Sequence, residues 1–425
     1  MSQKQQIQSQ SEEERLENIM KERPLPKAWK WMKLGEVCIA TKNRDPRITP
    51  DLSFRYVDIS SVNNRLKRII DTRTILGKDA PSRARQIIKA NDVIVSMTRP
   101  NLNAVALVPE DLNNEICSTG FCVLRPTEFI DALFLFEFVQ SKYFIETVSG
   151  RVRGMLYPAI TDNQVREVNI PIPPLPKQKR IAIKTQELIQ EVERARTACE
   201  KQLEAAKALP SAYLRKVFES EEAKKWERKK LSEVIKEVLP GFACGKRAGP
   251  EGFIQLRMNN ISSNGHLDLS SVLRIPATKK QVEKYRLLPG DVIFNNTNSA
   301  ELVGKTTLFD KNDGIFLYSN HLTLLRPIPR ILDSDFLTFW LQLQWYLRVF
   351  EKLCNRWIGQ AAVQREKLLN LKASFPPFQE QKLISNELKE KIAGVNKLRV
   401  ASEEQLKTIN ALPKAIFKKA FRGEL

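Results

Sequence analysis

The 425-residue chain is predicted to be an α+β protein: two homologous mixed α/β domains separated by two long antiparallel, coiled-coil-like helices, in a pseudo-two-fold tandem repeat. Two repeated stretches predict this fold class. PPLPKQKRIA at 173–182 has a near copy, PPFQEQKLIS, at 376–385, and ALPSAYLRKVF at 208–218 has one, ALPKAIFKKAF, at 411–421. Each copy lies 203 residues after its original. Because solenoid units run to roughly 20–50 residues, a period near 200 indicates a repeated domain.

Shorter matches extend the repeat upstream. NDVIVSMT at 91–98 pairs with GDVIFNNT at 290–297, and STGFCVLRP at 118–126 pairs with SNHLTLLRP at 319–327. The segment that begins at Trp29 corresponds to the one that begins at Trp226, 197 residues later. A separation that grows in order from 197 to 203 residues is what short loop insertions in one of two homologous halves leave behind.

The proline pairs predict where the domains end. Proline cannot continue a helix but often precedes one, so each pair marks the start of a long helix. The predicted segments are a flexible start with an N-terminal helix at 1–24, a first domain at 25–172, a first long helix at 173–224, a second domain at 225–375 and a second long helix at 376–425.

Within each half, short β-branched runs separated by polar turns predict strands. These runs lie at 55–59, 93–95, 105–108 and 121–124 in the first half, and at 292–294 and 322–325 in the second. An aromatic-rich segment at 129–147, repeated at 333–352, has helical spacing. The globular part of each half is therefore predicted to mix α and β structure.

Each long helix carries apolar residues at 3/4 spacing, a stripe that must be buried. We expect the two stripes to face each other in an antiparallel pair; the alternative is that each helix docks on the core of its own domain. The 176–209 stretch would span roughly 50 Å. Both helices are expected to be interrupted at a Leu-Pro, at 209–210 and 412–413, before a basic tail. The predicted seam residues are Ile181, Leu188, Val192, Leu388, Val395 and Leu398.

The charge balance indicates a polyanionic partner. The chain has 69 Lys and Arg against 49 Asp and Glu, a formal charge of +20, and a pI near 9.7. Nucleic acid is the favoured partner and an anionic membrane the weaker alternative. No apolar run reaches about 18 residues, and the first residues lack the apolar core of a signal peptide, so we expect a cytoplasmic protein without a membrane partner.

Residue patterns for catalysis are weak. Six cysteines without a CxxC pair and two histidines offer no clustered zinc ligands, and neither histidine recurs in the other half. The stretch 299–306 nearly spells a phosphate-binding loop, but a serine replaces its first glycine. Ile-Pro-Pro-Leu at 172–175 lacks the amide of the amino-methyltransferase motif. The chain is predicted to be non-enzymatic, with no catalytic residue, metal or cofactor of its own.

Taken together, the duplicated motifs resemble the specificity subunit of type I restriction-modification enzymes. The resemblance covers roughly 25–425, and its specific element is the duplicated Pro-Pro-x3-Gln that precedes a long helix. The residues that carry it are Asp92-Val93-Ile94 and Asp291-Val292-Ile293, Arg125-Pro126 and Arg326-Pro327, Pro173-Pro174 with Gln178, and Pro376-Pro377 with Gln381. Thr98-Arg99-Pro100 and Thr297-Asn298-Ser299 depart from the pattern, since neither has the glycine that often follows this strand.

This resemblance implies a function in a prokaryotic cytoplasm. Each globular domain would be a target-recognition domain that reads one half of an asymmetric, bipartite site in double-stranded DNA. The paired helices would set the spacing and dock two DNA methyltransferase (modification) subunits, with restriction/translocase subunits in the full complex. S-adenosylmethionine, ATP and Mg would be bound by those partners. The alternative is a structural adaptor that binds two copies of one protein without reading DNA. A third hypothesis, that this chain itself methylates or cuts DNA, has no residues to carry it.

Polar and basic loops are the candidates for DNA contact. Arginine suits guanine, asparagine and glutamine suit adenine, and basic side chains suit phosphates. The predicted DNA-binding residues are Arg99, Asn101, Arg151, Arg153, Tyr157, Asn296, Asn298, Arg356 and Gln360. For each of them a solvated loop residue is the competing interpretation, and core packing is the alternative for Tyr157 and for Trp357.

Overall fold

A computed structural model describes residues 25–151, 158–244 and 251–425. The chain divides into two compact units, one formed by the residues up to Cys199 together with Gln405–Leu425 and the other by Glu200–Glu404. The predicted segment at 1–24 lies outside the described residues. Among the described residues, the helices lack an apolar stretch of the length that a bilayer span requires.

The first unit contains twelve of the described strands. They are β1 Lys30–Lys33, β2 Cys38–Ile39, β3 Ser53–Val57, β4 Val62–Asn63, β5 Arg68–Ile69, β6 Arg73–Leu76, β7 Ala84–Ile87, β8 Val93–Ser96, β9 Val105–Leu107, β10 Ile116–Ser118, β11 Phe121–Pro126 and β12 Asn169–Ile172. The helices are α1 Leu34–Val37, α2 Ala132–Phe138, α3 Lys142–Gly150, α4 Asp162–Arg166 and the long α5 Leu175–Phe218, which continues into the second unit.

The second unit repeats this series. Its strands are β13 Glu227–Lys230, β14 Ile235–Pro240, β15 Phe253–Leu256, β16 Leu273–Ile275, β17 Val292–Asn295, β18 Thr297–Asn298, β19 Thr306–Leu308, β20 Phe316–Tyr318, β21 Leu322–Pro327, β22 Asn355–Trp357, β23 Gln360–Ala362 and β24 Lys372–Phe375. Its helices are α6 Leu231–Val234, α7 Lys279–Tyr285, α8 Ser334–Tyr346, α9 Val349–Leu353, α10 Arg365–Leu369 and the long α11 Phe378–Ala420, which ends in the first unit.

The sheets of the two units correspond. The order β2-β11-β8-β9 in the first matches β14-β21-β17-β19 in the second, and β1-β12 matches β13-β24. In each unit a second sheet contains one parallel pair, β3 with β10 and β15 with β20. All six predicted strands are confirmed, and each aromatic segment forms two consecutive helices rather than one, α2 with α3 and α8 with α9. The expectation of two homologous mixed α/β domains is confirmed.

The Asp-Val-Ile and Arg-Pro motifs form one ion pair in each sheet. Arg125 donates from Nε and Nη2 to the two oxygens of Asp92, at 2.9 and 2.7 Å, and Arg326 does the same to Asp291, at 2.8 Å for both bonds. Both aspartates are buried. Because a buried carboxylate is costly without partners, each aspartate requires its arginine, which explains why the two motifs recur together.

The glutamine of the Pro-Pro-x3-Gln motif ties each long helix to a globular domain. Gln178, at the start of α5, accepts a hydrogen bond from the backbone N–H of Asp131 at 2.8 Å and donates to the carbonyls of Phe129 and Pro173. Asp131 in turn caps α2, since its carboxylate accepts from the backbone N–H groups of Leu133 and Phe134. The start of the long helix and the start of α2 therefore share one hydrogen-bond network.

The second unit repeats this network. Gln381 accepts from the backbone N–H of Asp333 at 2.9 Å and donates to the carbonyls of Ile331 and Pro376. Ser385 adds a hydrogen bond of 2.8 Å to the carboxylate of Asp333, which caps α8. Because all the polar atoms of each buried glutamine side chain are engaged, the junction has a single favoured geometry.

The prediction that both long helices are interrupted at Leu-Pro is wrong. Each is one continuous helix, 44 residues for α5 and 43 for α11, with Pro210 and Pro413 inside. A proline in a helix interior costs about 3 kcal/mol through a lost hydrogen bond and a clash. In α5 this cost is offset by burial on either side of Pro210, at Ala206 and Leu214. The cost can be foreseen from the local sequence, but the burial cannot.

The two long helices pack on each other within each unit. In the first unit Val192 and Cys199 of α5 form a cluster with Ile409 of α11, flanked by Leu406 and Ile416. In the second unit Leu214 packs with Leu388 and Ile392, and with Phe339 and Leu343 of α8. The early part of α5 thus meets the late part of α11, and the reverse holds in the other unit, which is the pairing of antiparallel helices.

The predicted seam residues take different positions. Val192 and Leu388 lie in these clusters, and Val395 is buried. Ile181 belongs to the core of the first domain, Leu188 is half-buried, and Leu398 is 39% exposed. Both interpretations of the stripe therefore apply, because the first turns of α5 pack on the domain core and later turns pack on the other helix.

Candidate nucleic-acid interface

A small projecting sheet in the second unit brings together three predicted DNA-binding residues. Strands β22 and β23 form a hairpin, and β18 pairs with the other edge of β23. The register aligns Asn298 with Ala361 and Ala361 with Arg356, so these side chains form one cross-strand row. The next row contains Trp357 and Gln360. Residues 58 positions apart in the sequence, Asn298 and Arg356, thus share one surface.

The tip of this hairpin is a two-residue turn at Ile358 and Gly359. Gly359 has a φ of +77°, a conformation that side chains with a Cβ rarely adopt, so glycine fits this position. No atom lies within 4 Å of where a Cβ would stand on Gly359. Ile358 is fully exposed and Trp357 is 61% exposed. The tip therefore projects from the domain with its apolar side chains in solvent.

The base of the hairpin is held firmly. Ala361 and Val363 are buried, and the backbone N–H of Val363 donates to the carbonyl of Asn296 at 3.0 Å. Lys367 of α10 donates to the side-chain oxygen of Asn355 at 2.9 Å and to the carbonyl of Leu353 at 3.0 Å. These contacts fix both ends of the hairpin, so its tip is presented on a rigid base.

Asn296 and Asn298 differ in how many of their side-chain groups form hydrogen bonds within the domain. The Asn296 side chain donates to Thr297 Oγ1 at 3.0 Å and accepts from Thr323 Oγ1 at 3.1 Å. Both of its functional groups are therefore used internally. The side-chain oxygen of Asn298 accepts from the backbone N–H of Ser299 at 2.8 Å, and its amide group is the better candidate for a base contact.

Arg356 is held loosely. Its Nη2 donates to the carbonyl of Glu351 at 3.3 Å and lies 3.5 Å from the carboxylate of Glu351. Its side chain remains 60% exposed. An exposed ion pair of this kind contributes little, so the guanidinium can exchange Glu351 for a DNA group at small cost.

The corresponding loop of the first unit carries Arg99 and Asn101, both exposed. The short turn Pro100–Leu102 lies between two left-handed residues, Arg99 at φ +49° and Asn103 at φ +48°. Non-glycine residues in this region are strained and persist only where surrounding contacts hold them. Lys67 is one such contact, since its Nζ donates to the carbonyl of Asn103 at 2.5 Å. Burial lowers the pKa of Lys67 to about 8.

Arg151, in contrast, serves the fold. It lies at the end of α3, half-buried, where its Nη1 donates to the carbonyl of Gln164 at 2.8 Å. Gln164 returns a hydrogen bond to the Arg151 carbonyl at 3.1 Å. The predicted residues Arg153 and Tyr157 lie outside the described residues. Thr98 and Ala159, on either side of this region, form an isolated bridge in the place that β18 and β23 take in the second unit.

No cluster of three or more metal-ligating side chains exists in the described ranges. Burial raises the pKa of the Cys38 thiol to about 12, and it raises those of Cys117 and Cys122 as well. A thiol with a raised pKa is a poor nucleophile and a poor metal ligand. The arrangement of these two loops is suited to binding a polyanion, since they present polar, basic and apolar side chains on rigid supports.

The sequence predicted the polar residues of both loops and raised Trp357, but it did not single out Leu102 or Ile358. Leu102 is 48% exposed in the first loop and Ile358 is fully exposed in the second. The available signal was an apolar residue beside glycine in a polar stretch, NRWIGQ. Lys67 carried no signal, because the contact with Asn103 spans 36 residues.

The family model described as "type I restriction modification DNA specificity domain" matches residues 26–204 and 223–408. The chain belongs to this family. Its two DNA specificity domains correspond to the two halves of the sequence repeat, and each matched range takes in a globular domain and most of the long helix that follows it.

Relatives in the family extend this result. The type I restriction enzyme EcoKI specificity subunit of Escherichia coli K12 is 25% identical over 80% of this chain and 76% of its own length. The putative MjaX specificity subunit of Methanocaldococcus jannaschii is 26% identical, and the match spans less than half of each chain, 46% and 45%. The crystal structure of the HsdS subunit from Thermoanaerobacter tengcongensis is 32% identical, with a TM-score of 0.67 over 94% of this chain and 98% of that one.

Proposed function

We propose that the chain is the sequence-specific DNA-recognition subunit of a type I restriction-modification complex. Each globular domain reads one half of an asymmetric, bipartite site in double-stranded DNA. The paired helices α5 and α11 set the separation of the half-sites and dock two DNA methyltransferase subunits. Methyl transfer with S-adenosylmethionine, and DNA cleavage by restriction/translocase subunits with ATP and Mg, belong to those partners in the prokaryotic cytoplasm.

One observation carries the proposal. The two domains have corresponding sheets but carry different side chains at the same position, after the strands β8 and β17. Arg99 and Asn101 follow β8 in the first domain, whereas Asn298 follows β17 in the second and lies there on β18, beside the hairpin of Arg356 and Gln360. Different bases require different side chains, whereas two copies of one protein partner require similar ones. The shared helices suit the repeated partner and the divergent loops suit the DNA.

The net charge of +20 supports the same function, since neutralising phosphates releases counterions from the duplex. The adaptor hypothesis explains the duplicated helices but gives no reason for divergent, exposed Arg, Asn and Gln residues on the loops. The DNA-reading function accounts for both.

The test begins with the source genome. Methylated adenines are mapped in the wild-type strain and in a strain from which this gene is deleted. The proposal expects one two-part motif with a fixed gap, absent from the deletion strain. The chain with its methyltransferase partner should then bind a duplex of that motif, more weakly as salt rises. Binding that ignores sequence, with an unchanged methylation map, would instead support the adaptor.

A further inference from the structure

The hairpin tip carries an apolar side chain with no place to pack in this chain. Ile358 is fully exposed, and the neighbouring Trp357 is 61% exposed. Removing an isoleucine side chain from water is favourable, so a projecting, fully exposed isoleucine on a rigid support is suited to burial in a partner. The two-residue turn and the anchored base leave this tip little freedom to fold back.

The surroundings of the tip favour a polyanion. Residues 348–367 contain the five basic residues Arg348, Lys352, Arg356, Arg365 and Lys367, against the two acidic residues Glu351 and Glu366. Trp357 and Gln360 flank the two-residue turn directly, and Arg356 precedes Trp357 on β22. A duplex offers phosphates to the exposed cations among these, base edges to the polar side chains and stacked bases to the apolar tip.

A protein partner that docks twice fits the tip less well. In the first half of the sequence repeat, the residues that correspond to Trp357-Ile358-Gly359, 203 positions earlier, are Gly154-Met155-Leu156. A surface that binds two copies of one subunit would repeat its anchor residues. This stretch of sequence differs between the halves, as expected of an element that meets different DNA in each half-site.

We propose that Ile358 is a wedge that enters the duplex between two adjacent base pairs of the half-site read by the second domain. This inference rests on the proposed function and adds to it a specificity-determining residue. Apolar side chains that insert into DNA partly unstack one base step, and the cost is lowest at flexible pyrimidine–purine steps. Ile358 would thus select for deformability at a step where it makes no hydrogen bond, while Arg356 and Gln360 contact the neighbouring groups.

The experiment uses the chain with its methyltransferase partner and a duplex of the motif from the methylation map. A fluorescent base analogue is placed at one position at a time across the second half-site. Wild type should raise the fluorescence severalfold at one step, apart from the adenine that is methylated. Ile358→Ala should abolish that rise and weaken binding by about tenfold, whereas Ile358→Leu should retain both. Ile331→Ala, which alters an exposed isoleucine elsewhere in the same domain, should change neither.

The outcomes distinguish the wedge proposal from the proposed DNA-recognition function on which it rests. If wild type binds the two-part site, no step brightens and Ile358→Ala binds equally well, the wedge is wrong and the DNA-reading function stands. If Ile358→Ala keeps DNA affinity but loses the methyltransferase, the tip is a protein contact and the wedge is again wrong. If wild type binds no two-part site, both proposals fail together.

Discussion

Gln381 and Asp333 are joined by a hydrogen bond of 2.9 Å from the backbone N–H of the aspartate to the side-chain oxygen of the glutamine, and Gln178 and Asp131 repeat it at 2.8 Å. The motif glutamine thus links the start of each long helix to its globular domain by hydrogen bonds. Its conservation within the repeat follows from three backbone groups that each copy satisfies.

The first prediction concerns the hydrogen bonds of Gln381. Gln381→Met keeps the volume but leaves the Asp333 N–H and the carbonyls of Ile331 and Pro376 without their partner. We expect the free energy of unfolding of the second unit to fall by about 3 kcal/mol. Urea denaturation of the full chain measures it. Gln190→Met on the exposed side of α5 is the matched control, and an equal loss in both variants would contradict the role of the junction.

The second prediction concerns the buried ion pair of the first sheet. Arg125→Met leaves the buried Asp92 carboxylate with only the backbone N–H of Lys89, at 2.7 Å. We expect a loss of about 3–5 kcal/mol, because breaking a buried pair strands one charge. The double variant Asp92→Asn with Arg125→Met should recover part of it. Arg194→Met, which breaks the exposed pair with Glu191, should cost under about 1 kcal/mol in the same denaturation experiment.

The third prediction concerns Glu137, buried in α2, whose pKa is raised to about 8 by burial. The folded protein therefore favours the neutral carboxyl. Its contribution to stability is complete below the ordinary pKa of 4.5 and is lost as pH rises through about 8. Glu137→Gln should leave the unfolding midpoint unchanged at pH 4.5 and raise it at pH 8.5. A shift of equal size at both pH values would show that Glu137 is not protonated in the fold.

The fourth prediction separates the two half-sites. Arg356→Ala with Gln360→Ala should weaken binding of the two-part site about 10- to 100-fold and relax base preference in one half only. Arg99→Ala with Asn101→Ala should relax the other half. Selection of bound duplexes from a library randomised in both halves measures this. Lys280→Ala, an exposed cation outside both loops, should lower affinity evenly across sequences. Relaxation of both halves by one pair of changes would contradict independent reading.

Much of the architecture was predictable because its sequence motifs occur in both halves of the chain. Periodic stripes, proline pairs and repeated Asp-Val-Ile and Arg-Pro motifs indicated two domains and two long helices, since each signal is local in sequence. Continuity through Pro210 was not predictable, because it depends on burial contributed by other parts of the chain. The same holds for the site. Arg356 and Asn298 were candidates by residue type, but their alignment across Ala361 depends on strand register.

The C-terminal end of α11 belongs to the first unit, and this has a consequence for folding during translation. The first unit takes its closing segment, Gln405–Leu425, from beyond the whole of the second, and Phe421 packs against Phe134 and Phe138 with ring centroids 5.3 Å apart. On the ribosome, the contact of Phe421 with those two phenylalanines is missing until more than two hundred further residues have been translated. The second unit, whose segment 200–404 is continuous, can finish first. The core of the first unit can therefore be completed only after the second unit has been made, because Ala420 and Phe421 belong to it.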